Sequence, residues 1–536
     1  SDHYHEEYDV DILKNFSSLS NFSLYHAMKV AHDGEKKKKI FPLIVDTDRD
    51  LYEKFMKAKI GGYSAPLQRR YAEAGITKLP GGLVKKVQSH DANALYLWCI
   101  SQPLPSGEYT RRTTPELPAD VCEILNPDIQ GVIMNYLLDL KGILRDVIKG
   151  DLFGFVVVDA HTPKRERKNF RGLLPFFKHA TIRPTREVVG DTMFELMEKY
   201  GDKRKASNKL VNSWSCTKKL MFTPYLKWLL CVGIKVTAIH EVVEFKTQGN
   251  YFEEFGKSVS DARRLGDIVI DGHKKYKLLG ETQKAHGNTV YGRIGMNMDK
   301  HNKTFYCTPE EEKWMASEPD FVKSELICPG KYEVTRLKRK IKHMMPIYLS
   351  VCVYQYAKLR MLMFQYWLDQ HVDHGKLEYV YSDTDCLCIS ITEDTLEACV
   401  RPDMRQSWEE TKGRWLQARG QFIKTTLHWQ GEEPFPLTEE AWSRRTPGLF
   451  KIEWEGLGIA APGPKSKFAW GGIEKPKEED WFKRHGVTLS SKGINQNKLL
   501  KECKEDDNIL RQLHFNMITQ QGPEHKEFKA TNKGFR

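Results

Sequence analysis

The stretch Tyr381-Ser382-Asp383-Thr384-Asp385 sets two carboxylates at the tip of a predicted hairpin. Leu377 to Tyr381 reads as one strand and Cys386 to Ile391 as the next, with Leu387, Ile389 and Ile391 alternating against Cys386, Cys388 and Ser390. Asp383 and Asp385 are two apart, so in extended geometry they point to one side. Carboxylates held that close repel unless a cation sits between them, and hard oxygen ligands suit Mg2+. The plainer alternative is an Asx-rich turn, for which Ser, Asp and Thr are ordinary residues.

Two further elements carry chemistry. In Val87-Gln88-Ser89-His90-Asp91-Ala92-Asn93-Ala94-Leu95-Tyr96-Leu97, a short strand delivers Asp91 to its end and a turn or helix start follows. Small residues at Ala92, Asn93 and Ala94 leave backbone N–H groups open to an anion. Asp91 as a helix N-cap is the alternative. In Lys284-Ala285-His286-Gly287-Asn288-Thr289-Val290-Tyr291-Gly292, helical spacing puts Lys284, Asn288 and Tyr291 on one face. That face offers a cation for a phosphate, an amide for a base edge or sugar, and a ring to stack. Gly287 inside a helix costs roughly 1 kcal/mol against Ala, which suits a close approach by another backbone or a ligand. An amphipathic helix end capped by Gly292 is the alternative.

These elements need a large frame. The chain has 536 residues, too many for one compact core, so two to four domains or subdomains are expected. Its formal charge of +12, from 83 Lys and Arg against 71 Asp and Glu, suits a polyanionic partner. The 11 cysteines include no Cys-x-x-Cys, which argues against a zinc site and a disulfide scaffold. The longest unbroken apolar run, Ala94 to Ile100, is far too short to span a bilayer. The chain therefore reads as soluble and intracellular, with no membrane partner. It lacks an initiator Met, which raises the expectation of a fragment of a longer product.

Together and in order, the three elements resemble the polymerase motifs of family B DNA polymerases: Asp-x-x-Ser-Leu-Tyr-Pro, Lys-x-x-x-Asn-Ser-x-Tyr-Gly and Tyr-x-Asp-Thr-Asp-Ser. The protein-primed branch of viral, linear-plasmid and Maverick-type transposon polymerases is the nearest. Ile60-Gly61-Gly62-Tyr63 resembles its template-contacting Gly-Gly motif. Pro447 to Glu453 and Gly463-Pro464-Lys465-Ser466-Lys467-Phe468 resemble its Lys-x-Tyr region, and Ser491-Lys492-Gly493-Ile494 the signature that follows. Ala94, Leu97, Cys386 and Lys467 depart from the usual Ser, Pro, Ser and Tyr. Lys467 puts primer-end positioning in question, with Phe468 as a substitute aromatic surface.

The resemblance implies a catalytic set of Asp91, Asp383 and Asp385, with Asp91 and Asp385 as ligands of two Mg2+ ions, or Mn2+ in their place. It implies dNTP binding by Tyr96, Lys284, Asn288 and Tyr291, with Tyr96 excluding a 2′-hydroxyl. It implies backbone contacts by Gly61, Gly62 and Lys465. The partners are template–primer DNA, dNTPs and, for this branch, a terminal protein as primer.

The fold class implied is α+β, a right hand of palm, fingers and thumb with two palm insertions and the exonuclease domain largely missing. Residues 1–40 would be an exonuclease-domain tail, because Tyr8-Asp9-Val10-Asp11-Ile12-Leu13 resembles the last exonuclease motif. No proofreading is expected, and Asp46 and Asp48 read as a surface turn. Residues 41–110 would be palm, 111–215 a terminal-protein-type insertion, 216–260 palm, 261–293 fingers, 294–335 a second insertion, 336–400 palm with the Asp-Thr-Asp hairpin, and 401–536 palm end and thumb. Val351, Tyr354, Leu359 and Met363, near helical spacing between Tyr348 and Gln370, read as core rather than site. The rival function is a decayed or domesticated remnant that keeps the fold and binds DNA. Another two-metal phosphotransferase or nuclease leaves the Lys284, Asn288, Tyr291 face unexplained.

Overall fold

The computed structural model describes residues 12–16, 18–32, 40–44, 48–113, 139–199, 205–270, 272–297, 302–338, 345–428, 433–491 and 495–519. Helices and sheets are interleaved along the chain, an α+β arrangement. Among the described residues no helix is long and apolar enough to cross a membrane.

The sheet that carries the carboxylates has five antiparallel strands in the order Ser64–Pro66, Leu377–Asp383, Cys386–Ile391, Lys86–Ala92, Phe450–Gly456. The hairpin forms as its alternation dictates, and its first strand runs on to Asp383, where it pairs with Ser64. Thr384 and Asp385 make the turn, Thr384 at φ +60°. An extra residue at Val380 shifts the register between Tyr379 and Tyr381, so the two tyrosines serve different surroundings. Tyr379 donates to Asp369 of the long helix Ile347–His371 (2.9 Å), whereas Tyr381 joins Val87, Cys386 and Cys388 in a second apolar cluster. That cluster is shared with Ala72, Ile459, Ala461 and Ala469 of the sheet Tyr71–Glu73, Gly458–Gly463, Ser466–Trp470, Thr488–Ser491.

The long helix is buried nearly all round because it separates two sheets. On one side Phe364 stacks flat on Phe450 (3.7 Å, 9°) of the carboxylate sheet. On the other, Gln355 bonds the backbone of Leu220 and Phe222, in a sheet ordered Ser215–Phe222, Gly154–His161, Lys235–Gly249, Leu104–Thr113. Burying aromatic residues such as these contributes about 1.5–3 kcal/mol each. The strand Gly154–His161, from the stretch expected as an insertion at 111–215, lies inside this sheet. Its run Phe155-Val156-Val157-Val158 is buried between one strand on each side, Ser215–Phe222 and Lys235–Gly249. The three-stranded sheet Asn302–Cys307, Lys331–Leu337, Phe321–Cys328 occupies the region expected as the second insertion.

The helices Glu253–Leu265 and Lys277–Ile294 pack together. The first begins before the expected boundary at 261. Glycine at 266 and 280 permits their approach: a Cβ on Gly266 would stand 2.8 Å from the Gly280 Cα. Helix Leu19–His32, in the stretch expected as an exonuclease tail, packs onto this pair through Phe22 and His26. His286 is fully buried there, between Ser23 Oγ (2.7 Å) and His26 Nδ1 (3.0 Å), and burial brings its pKa down to about 3. Residues Tyr8 to Asp11 and Asp46 lie outside the described residues. Asp48 is no surface turn: it caps helix Arg49–Ala58, accepting from Leu51 N (3.0 Å), and takes both oxygens to Arg111 (2.8 Å each).

Candidate active site

Asp91 ends the strand Lys86–Ala92, opposite Cys386 on one side and Lys451 on the other. It is a strand residue, not a helix cap. The helix Leu95–Ile100 starts instead at Ala94, which takes a left-handed φ of +40° with no side-chain cap. The Ala92 amide donates to the Asp385 carbonyl (2.8 Å), which locks the hairpin turn to the end of Asp91's strand. Burial, then the charges of Asp385 and Glu453, push the Asp91 carboxyl up to about 7, against the pull of Lys451, whose Nζ is 3.5 Å away. Burial also raises Asp385, helped by Asp383 and Glu453 and opposed by a backbone hydrogen bond. Asp91 and Asp385 thus share one half-buried, electrically strained locus.

Asp383, whose charge acts on Asp385, has a cationic partner of its own. Its carboxylate accepts from Lys465 Nζ at 2.9 Å. Lys465 sits in a turn at φ +54° and is held by its own amide donating to Ser64 Oγ (3.0 Å). Lys467 is half-buried with its ammonium 5.3 Å from the Tyr381 ring centre, while Phe468 is fully buried against Trp470 and His514. Phe468 therefore offers no aromatic surface to a primer. The stretch Lys492 to Ile494 lies outside the described residues.

The rings of Tyr96 and Tyr291 stack at 3.9 Å and 12°. Tyr354 meets both edge-on, so this member of the apolar stripe belongs beside the site and not only to the core. Burial raises both stacked hydroxyls, Tyr291 up to about 12, and the Asp385 charge adds to each. Tyr96 also lines one small cavity with Ser382 and Thr384, which places the tyrosine pair beside the hairpin turn. Asn288 and Lys284 stand exposed on the same helix, one and two turns before Tyr291. The Gly287 cost has a packing cause: a Cβ there would stand 2.9 Å from Val259 and 3.5 Å from Leu97. Gly292 is exposed inside the helix, and the cap is Gly295.

Gly61 is open to its surroundings, whereas a Cβ on Gly62 would lie 2.4 Å from Thr384 Oγ1. The Tyr63 carbonyl accepts from the Thr384 amide (2.8 Å), so this loop lies directly on the Asp383–Asp385 turn. Three contributors escaped the sequence: Lys451, Glu453 and Tyr354. A signal for the first two exists, since Lys451, Glu453 and Glu455 alternate with Phe450, Ile452 and Trp454. An extra residue at Glu453 in the pairing with Lys86–Ala92 is what the alternation does not reveal.

The donor set suits a hard divalent cation, which would relieve the repulsion between half-buried Asp91 and Asp385. Among the described residues no group of three or more His, Cys, Asp or Glu side chains is disposed to hold a metal ion.

No protein-family model and no curated protein matches the chain. Among solved structures it is similar to Phi29 DNA polymerase complexed with primer-template DNA and incoming nucleotide substrates, at 13% identity and a TM-score of 0.48, covering 92% of this chain and 63% of that one. It is similar also to the Phi29 polymerase binary complex with primer-template DNA, at 12% identity and a TM-score of 0.46, covering 93% and 63%. The chain spans less than two thirds of the length of either.

Proposed function

We propose that the chain is a DNA-directed DNA polymerase of family B, in the protein-primed branch, adding dNTPs to a primer 3′-hydroxyl. The observation that carries this is the convergence of Asp91 and Asp385, on neighbouring segments, beside the Tyr96–Tyr291 stack. The net charge of +12 suits the polyanionic partners.

Asp91 and Asp385 would hold two Mg2+ ions, with Asp383 in support. When bound, the ions supply charge neutralisation for the 3′-hydroxyl and for the pyrophosphate leaving group. Asp91 must be ionised for this, so its raised pKa makes cation binding and deprotonation one event. Lys465, now on Asp383, would exchange that carboxylate for the nucleic-acid backbone, a swap of one anionic partner for another. Exposed Lys284 would meet the triphosphate as a point charge. Asn288 and Tyr291 would wall the nascent pair, and Tyr96, stiffened by its stack, would leave no room for a 2′-hydroxyl. Gly61 and Gly62 let backbone approach backbone beside the template. The Ile60–Tyr63 and Gly463–Phe468 stretches favour the branch that takes a terminal protein as primer.

The test is extension of a labelled primer–template with dNTPs and Mg2+, beside Asp385→Asn. Extension by the wild type and loss in the variant is expected. A folded protein that binds DNA without extending it would favour the decayed remnant, and shortening of the primer would favour a nuclease.

A further inference from the structure

Lys358 lies in the middle of the long helix and is buried, only 8% exposed, yet no carboxylate among the described residues pairs with it. Lysine is almost never buried without a partner, because desolvating its charge costs several kcal/mol. A Met or Leu would fill this helix position at no such cost. The ammonium donates to the Ile60 carbonyl and, at 3.3 Å, to that of Tyr354. The rings of Tyr354 and Phe177 lie 5.7 and 5.9 Å from it, close enough for a cation–π attraction. Burial, and then the charge of Lys219, bring the amine down to about 7.

What the ammonium holds gives it a use. Ile60 immediately precedes Gly61-Gly62-Tyr63, whose far end receives the Thr384 amide. Beyond the loop, Ser64 pairs with Asp383. Gly62, Tyr63, Tyr96, Phe177, Tyr354, Lys358 and Thr384 line one small cavity, so the lysine, the loop, the stacked tyrosine and the turn share a single space. We infer that Lys358 is a positioning residue: it fixes the Ile60–Tyr63 loop where it bears on the Asp383–Asp385 turn and presents Gly61 to the template strand. This rests on the polymerase function proposed above. The lysine touches no reacting atom and acts through the loop.

The test uses the full chain with Lys358→Met, which keeps the stem and removes the donor. Binding of a fluorescent primer–template is expected to weaken at least about tenfold, the loss typical of a hydrogen bond to a charged group. Amide exchange is expected to speed up at Thr384 while the amides of Leu387 and Ile389 keep their protection. Among variants that extend primers, KM for primer–template rises and KM for dNTP stays within about twofold of wild type. Wild-type affinity with wild-type Thr384 exchange overturns the proposal, as does a rise in exchange spread evenly over the whole sheet. Should Lys358→Met fail to fold, Lys358→Gln, with a donor on a shorter stem, carries the test. A partial loss of affinity and of Thr384 protection is then expected, and none overturns it. If the wild type binds primer–template but does not extend it, the polymerase reading fails, while affinity and exchange still decide the role of Lys358.

Discussion

Replacing Gly62 by alanine is expected to cripple the site without touching a carboxylate. The new Cβ would stand 2.4 Å from Thr384 Oγ1 and Cγ2 and 2.7 Å from Thr384 Cβ. Carbon atoms rest about 3.5–4.0 Å apart, so loop and turn must separate by roughly 1 Å. A change of Thr384 rotamer cannot relieve this, because its Cβ is itself too near. Overpacking costs about 1–3 kcal/mol, and loss of the Thr384–Tyr63 hydrogen bond about 1 more, for a total of about 2–4 kcal/mol. A misplacement of that size at a catalytic group lowers turnover on the order of 10²-fold. The assay is the melting temperature and the rate of primer extension. Gly61→Ala is the stability control: nothing lies within 4 Å of its Cβ, so its melting temperature should match wild type. Wild-type melting and rate for Gly62→Ala, or equal destabilisation by Gly61→Ala, would refute the proposed contact between loop and turn.

Other outcomes follow from the same geometry. The Asp91 pKa is raised from 3.8 to about 7, so the stability this group contributes is full below about 3.8 and is lost as pH rises through about 7. Metal-free Asp91→Asn should therefore melt above metal-free wild type at pH 8 while losing extension, and Mg2+ should raise the melting temperature of the wild type only. At subsaturating Mg2+, extension should fall about tenfold per pH unit below about 7. Glu453→Gln removes one of the charges that raises Asp91 and should move that midpoint to lower pH. Tyr96→Val should raise the ratio of kcat/KM for rNTP over dNTP at least about tenfold, and loss of the ring stack should cost about 0.5–1.5 kcal/mol in melting experiments.

Local pattern and long-range pairing divide what the sequence could reveal. The hairpin strands were legible because Leu387, Ile389 and Ile391 alternate with Cys386, Cys388 and Ser390, and both faces are buried. The helix face of Lys284, Asn288 and Tyr291 was legible from spacing alone, and the strand and helix around Asp91 from a change of period. The extra residues at Val380 and Glu453 were not, since a bulge is a property of two strands and only one is in view at a time. Nor was the burial of Lys358, which depends on a loop nearly 300 positions away in the chain. Nor was the packing of helix Leu19–His32 on His286, which lies 260 or more positions downstream of Ser23 and His26. Lys467 in place of a tyrosine put primer-end positioning in question. It lies beside the Tyr381 ring, a placement that needs the register of three strands to foresee.

The most direct measurement is single-nucleotide addition on four primer–templates that differ only in the first unpaired template base, each offered one dNTP with Mg2+. The proposed function predicts addition of the complementary dNTP alone, and none by Asp385→Asn. Addition regardless of the template base, or no addition by folded protein bound to the same DNA, would contradict it.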